Sequence, residues 1–308
     1  MRLRHPAFVA SSAGLLTVAE TIAEQWRRVG ATGHLLARNI DTGEELGFDV
    51  DAPVPLASVV KAPLALVVLD RIATGALDPA MPVTIEPAAK SIGWTGVAGF
   101  RYPVTLAVAD LVHQALTVSD NASADALFDL VGVDQVDERL RTWGCTGIRV
   151  RHRMHRMYEC AAGIAGDDFG LALKLAIRDD AAGQHSIETL DPAYANVGSA
   201  AALVGLLQRV WLDQISQPEA TAELRRLMAL QVFTQRLSSD LRADTLRVSG
   251  KTGTFLHLRH EIGLVTADSG DRVAIAALTR SQRPASIAHD IDLAIGAAAR
   301  SAFESLRR

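Results

Sequence analysis

An α+β fold is what the sequence predicts: one antiparallel five-stranded sheet flanked by helices, joined to an all-helical subdomain. Three observations carry this. Strand patterning stands at both ends of the chain, helical periodicity fills the middle, and an amphipathic helix accompanies each terminal group of strands.

In chain order, Leu16, Ala19, Ile22, Ala23 and Trp26 recur at helical spacing with charged residues between them. Gly33 to Ile40 and Glu44 to Val50 then flank Asp41-Thr42-Gly43, a hairpin signal. From Ser58 to Thr74 the pattern is helical, and Val104 to Val131 holds two helical segments around Thr117–Asn121. Val136 to Trp143 is closed by Gly144 at the position just past the helix end. Trp143 to Asp191 is the least regular stretch, with an Arg/His-rich start and a loop around Asp179–Ser186. Ala200 to Leu212 and Glu219 to Leu230 are again helical. Strands return at Leu246–Ser249, Glu261–Thr266 and Arg272–Thr279, the last two about the turn Asp268-Ser269-Gly270. A final helix from Ile287 to Phe303 puts Ile287, Ile291, Ala294, Ile295 and Ala298 on one face. Residues 1–53 and 245–308 thus read as one α/β subdomain and 54–244 as the helical one, with a ligand crevice between them.

Composition narrows the function. In 308 residues, 31 Lys+Arg against 35 Asp+Glu leave a net charge of −4, which argues against a nucleic-acid partner. Cys145 and Cys160 are too few for a disulfide framework and read as reduced thiols. The apolar run Ala62 to Leu69 is far shorter than the ~20 residues of a membrane span. Met1 to His5 with the apolar residues after it faintly suggests a leader, but the first helix claims most of that stretch. The expectation is a soluble, cytoplasmic monomer with no membrane partner.

Three short motifs carry the chemistry: Ser58-Val59-Val60-Lys61, Ser119-Asp120-Asn121 and Lys251-Thr252-Gly253. The first opens a helix after a hairpin, the second lies between helices, and the third ends a late strand. Serine is a weak nucleophile until a base takes its proton, and Ser58 and Lys61, three apart on a helix, share a face. A lysine serves as that base only if burial or a second cation, here Lys251, lowers its pKa.

Over roughly residues 15 to 305 the chain resembles the class A β-lactamases of the penicillin-recognising superfamily, in these motifs and in flanks such as Pro55-Leu56-Ala57-Ser58 and Leu116-Thr117-Val118-Ser119. The resemblance implies the β-lactamase/transpeptidase-like fold and catalysis by Ser58, Lys61, Ser119 and Lys251, with an oxyanion hole from the N–H groups of Ser58 and Thr254. It implies that Ser119 relays a proton to the leaving nitrogen and that Asn121 hydrogen-bonds an amide of the substrate. Lys251 and Thr252 would hold a substrate carboxylate, Gly253 would let the ligand lie against the strand edge, and Arg259 would be a second carboxylate-binding cation. Trp94, beside Gly93 and Gly96, matches the aromatic wall at the family's crevice mouth; an ordinary packed tryptophan is the other reading. The ligand implied is a small carboxylate-bearing acyl donor, with no cofactor.

The resemblance breaks at one place. Class A enzymes release the acyl group with a glutamate acting through water, and the alignment puts Met154 at that position. Glu159, Glu188 and Asp191 are the candidate substitutes, and Asp191-Pro192 with Asn196 echoes the family's loop at a spacing off by one. His152, His155 and Glu159 could be read as metal ligands, but the arginines at 149, 151, 153 and 156 would repel a cation, so no metal is expected. The same run suits a solvated loop, or a phosphate or acidic ligand. The expected function is a serine acyl hydrolase acting through a Ser58 acyl-enzyme on a β-lactam or related cyclic amide or ester. The alternatives are an esterase or acyltransferase of specialised metabolism, or a slowly deacylating β-lactam-binding protein.

Overall fold

The computed structural model describes residues 7–88, 90–284 and 288–308. Met1 to His5 and Ile287 therefore lie outside the described residues. The chain opens with β1 (Phe8–Ala10), α1 (Ala13–Arg28), β2 (Ala31–Asn39) and β3 (Glu45–Phe48). It continues through β4 (Val54–Pro55), α2 (Lys61–Ala73), β5 (Pro82–Ile85), β6 (Val104–Ala107), α3 (Val108–Thr117) and α4 (Asn121–Val131). Next come α5 (Val133–Thr142), β7 (Ile148–Arg149), α6 (Met154–Ala165), α7 (Phe169–Ala182), β8 (Val197–Gly198), α8 (Ala200–Trp211) and α9 (Pro218–Ala229). The chain closes with β9 (Leu246–Phe255), β10 (Leu258–Ala267), β11 (Arg272–Ser281) and α10 (His289–Leu306).

The main sheet has six strands in the order β1-β3-β2-β11-β10-β9, every neighbouring pair antiparallel. The two ends of the chain meet where β2 pairs with β11, Leu36 opposite Ala276. The sheet has one strand more than the five expected. The extra one, β1, pairs Phe8 with Phe48, and its three residues are too few to show a period of two in the sequence.

Both faces of the sheet are buried, so its strands read as nearly continuous apolar runs whose residues alternate between two cores. Leu35, Ile275 and Ala277 pack with Trp26 of α1 and Ile295 and Phe303 of α10. Leu36, Ala274, Ala276 and Leu278 join the core of the middle helices. Ser12 caps α1 by accepting from Leu15 N–H, and Leu15, rather than the expected Leu16, turns inward.

The middle stretch is mainly helical, yet it holds small sheets as well: β4-β8-β7 and the pair β5-β6. Each of these strands has two to four residues, too short for a sequence signal. The region expected to be irregular carries two helices, α6 and α7. Asp168 caps α7 by accepting from Leu171 N–H, and Gly183 closes it at φ 66°. Its buried side is only Ala172, Leu173, Ala176 and Asp179, too narrow a stripe to stand out. At the centre lies α2, buried on all sides from Lys61 to Asp70, which carries a lysine into the core. Among the described residues, no helix is long and apolar enough to cross a membrane.

Candidate active site

The site forms where the start of α2, the α3–α4 turn and the outer edge of β9 converge. From β4 the chain passes Ala57, held at φ 48°, a left-handed conformation an alanine adopts only at a cost. A tight 3-10 turn over Ala57–Val60 then presents Ser58 and leads into α2. His260 pegs this approach to the sheet. Its Nδ1 accepts from Thr279 N–H at 3.0 Å, so Nε2 carries the proton given to Pro55 O at 2.9 Å. Burial holds that ring far below the usual imidazole range, and it stays neutral.

Gly253 has a packing task of its own. A Cβ there would stand 2.7 Å from Leu56 O, 2.9 Å from Val59 Cγ2 and 3.1 Å from Val59 N. Its missing side chain lets β9 dock against the turn that carries Ser58; a ligand does not occupy that space. Gly253→Ala is expected to cost about 1–3 kcal/mol, measured by denaturant unfolding, and to slow Ser58 chemistry more than that loss of fold explains.

Lys61 and Lys251 are both fully buried beneath the cavity. Lys61 Nζ donates to Ser119 O at 2.6 Å, Asn121 Oδ1 at 2.6 Å and Ser119 Oγ at 3.4 Å. Among the described residues none of its bonds goes to Ser58, the partner its spacing suggested. Lys251 Nζ donates to Ser119 Oγ at 2.9 Å and Thr252 O at 2.9 Å. Ser119 Oγ therefore lies between the Nζ atoms of two lysines. Burial pushes Lys61 down to about 7 against the pull of Asp120 and Asp125. Burial, then the charge of Lys61, drives Lys251 well below the usual lysine range.

The α3–α4 turn is shaped by Ser119 at φ 59° and by Asp120, the N-cap of α4. Asp120 accepts from Ala98, Ala122 and Ser123 N–H, which ties this turn to the segment bearing Trp94. Asn121 Nδ2 donates to Ile92 O at 2.7 Å and to Tyr158 OH at 3.3 Å. Thr252 N–H points off the edge of β9 to Gln231 Oε1 at 2.6 Å. Two residues on, Thr254 N–H points off the same edge, as an oxyanion donor would.

These groups surround a cavity of about 530 Å³ lined by Ser58, Ser119, Asn121, Thr252, Thr254, Arg259 and Trp94. Trp94 is 79% exposed and meets Phe169 of α7 edge-on at 6.4 Å, so it stands on the rim, not packed inside. Arg259 Nη1 donates to Leu256 O at 2.6 Å and Leu258 O at 2.8 Å.

Tyr158, Phe233, Gln235, Arg236, His289 and Asp292 also line the cavity, and the sequence reading missed them. Arg236 is fully buried and donates to Asp292 Oδ1 at 2.7 Å, His260 O at 2.7 Å and Thr254 Oγ1 at 2.8 Å. No periodicity or motif marks it.

The candidate water-activating carboxylates lie elsewhere. Glu188 pairs with Arg156 at 3.0 Å and Glu159 with His155 at 3.3 Å, both beside a separate cavity of about 750 Å³. Asp191 accepts from Ala193 N–H. Asn196 holds the chain at Arg151 and His152 by accepting both N–H groups. Met154 is buried, with its N–H on Asp125 Oδ1 at 2.5 Å, and from α6 it is Tyr158 that reaches the cavity.

Residues 17–306 match the Beta-lactamase enzyme family. The chain belongs to that family. One relative, the beta-lactamase regulatory protein BlaB of Streptomyces cacaoi, is 41% identical over 270 residues, covering 83% of this chain and 86% of that one. The beta-lactamase of Sphaerobacter thermophilus superposes with a TM-score of 0.76 at 19% identity, covering 94% of this chain and 96% of the other. A mutant of PBP-A, in an acyl-enzyme complex with penicillin G, gives 0.73 at 17% identity, covering 94% and 96%. At such identities these structures fix the β-lactamase/transpeptidase-like fold alone.

Proposed function

We propose that Ser58 is acylated by a small carboxylate-bearing β-lactam, or a related cyclic amide or ester, and that the acyl group is then held rather than quickly released. One observation carries this reading. The cavity joins a serine, two buried lysines and a bridging hydroxyl, while Glu159, Glu188 and Asp191 do not line it. Asp292, the carboxylate that does line it among the described residues, is bound to Arg236.

In the forward step neutral Lys61 takes the Ser58 proton, and Oγ adds to the carbonyl carbon. The N–H groups of Ser58 and Thr254 stabilise the oxyanion. Ser119 passes its proton to the leaving nitrogen as the C–N bond breaks and is reprotonated from Lys251 or Lys61. A persistent acylated state suits a regulatory role such as the name of the Streptomyces cacaoi relative states.

Intact mass after mixing with benzylpenicillin tests the proposal. A lasting adduct of one equivalent on Ser58 is expected. No adduct overturns it, and many turnovers without an adduct support a hydrolase instead. With Lys61 titrating at about 7 and the neutral amine as base, the acylation rate rises as pH increases through that value. Stopped-flow acylation across that range, flat with pH, would remove Lys61 from the role of base.

A further inference from the structure

Glu261 is fully buried and plays no part in the chemistry above. On β10 it stands in register with Thr252, and its two oxygens reach the two ends of one segment. Oε1 accepts from Gln231 Nε2 at 2.8 Å, and Oε2 accepts from Leu237 N–H at 2.8 Å. Between these anchors lie Phe233, Gln235 and Arg236, all of which line the cavity. Gln231 also accepts Thr252 N–H through Oε1, which links the same carboxylate to the edge of β9. Gly250 makes the room: a Cβ there would stand 2.6 Å from Glu261 Oε1.

We propose that Glu261 is a positioning residue whose ionised carboxylate staples residues 231–237 at both ends, and so holds Arg236 and Phe233 as the wall that selects carboxylate-bearing ligands. The stapling stands on the geometry alone; its consequence for ligands rests on the acylation reading. A carboxylate accepts at both oxygens, whereas a carboxylic acid places its proton on an oxygen that already receives an N–H. Arg236 from the segment and Lys251 from β9 favour the charged form, and Asp292 of α10 sits behind Arg236. From β11 the register partner is Ala277, which carries no charge. Burial outweighs these attractions and raises the group to about 7. The staple is therefore complete above that value and loosens below it.

Hydrogen exchange on the intact chain, corrected for intrinsic rates, reads the staple directly. Opening of 231–237 is expected to be about tenfold or more commoner at about pH 6 than at about pH 8. In Glu261→Gln, which offers one acceptor oxygen and a clashing NH₂, the segment opens freely at both. Equal protection at both pH values in the natural chain would overturn the proposal, even if the variant failed to fold.

The second readout is the rate of Ser58 labelling by benzylpenicillin divided by that for p-nitrophenyl acetate, a ratio that cancels the titration of Lys61. It should fall about tenfold from about pH 8 to about pH 6 and be low and flat in Glu261→Gln. Protonation of Lys251 would move the ratio the other way, so the sign decides between them. If neither donor labels Ser58, the acylation reading fails and the exchange experiment alone decides the staple.

Discussion

Replacing Ser58 by alanine is expected to abolish covalent labelling by benzylpenicillin, a loss of about a thousandfold or more, while the fold is kept. The size follows from the proposed role of Ser58 and from how the other described hydroxyls of the cavity are placed. Ser119 Oγ is engaged by Lys251 at 2.9 Å, and Thr252 and Thr254 lie along β9, so no second hydroxyl takes over the position at the start of α2. The fold should survive because Ser58 is half-buried and supplies no cap to α2, so its loss stays within about 0.5 kcal/mol. Intact mass and a thermal melt check both halves. Labelling of the alanine variant at an unchanged rate would sink the mechanism and move attention to Ser119.

This contrast between nucleophile and scaffold also explains what the sequence made legible. Ser58, Lys61, Ser119, Asn121, Lys251 and Thr252 stand out in the sequence because the proposed chemistry demands particular residue types at short spacings. The structure brings all six to one place, four on the cavity wall and the two lysines beneath it. Arg236, Tyr158, His260 and Glu261 are different. Each reaches the site through contacts far away in sequence: His260 to Pro55 across 205 positions, Tyr158 to Asn121 across 37. No local pattern encodes such contacts. The same holds for β9, which was expected to stop at Ser249 and runs on to Phe255. Gly250 and Gly253 weaken the strand signal, yet they are strand residues that make room for Glu261 and for the turn at Ser58.

If Ser58 holds an acyl group as proposed, introducing a carboxylate at position 158 is expected to speed its release. Tyr158 lines the cavity with its hydroxyl 3.3 Å from Asn121 Nδ2 and its ring edge-on to Phe255 at 5.5 Å. Met154, where the sequence was expected to place the family's glutamate, is the wrong place for it. That side chain is 1% exposed, its N–H is bound to Asp125, and it does not line the cavity. A glutamate there would bury an unpaired charge away from the ester. Tyr158→Glu instead sets a carboxylate on the wall of the cavity that Ser58 also lines, and its shorter chain leaves room there for a water. A positioned general base contributes about 10²–10⁴-fold, so release of the penicilloyl group should quicken by about a hundredfold or more. Tyr158→Gln opens the same space without a base and should quicken release less than about tenfold. Loss of the aromatic contact costs both variants about 1 kcal/mol, equally, so their ratio isolates proton abstraction. Single-turnover decay of the adduct by mass spectrometry gives that ratio. If glutamine matches glutamate, the bulk of Tyr158 is the barrier and the missing base is not. If neither variant releases faster, water is not the limiting reactant, and the slow step lies in the oxyanion geometry set by Thr254 and the turn at Ser58.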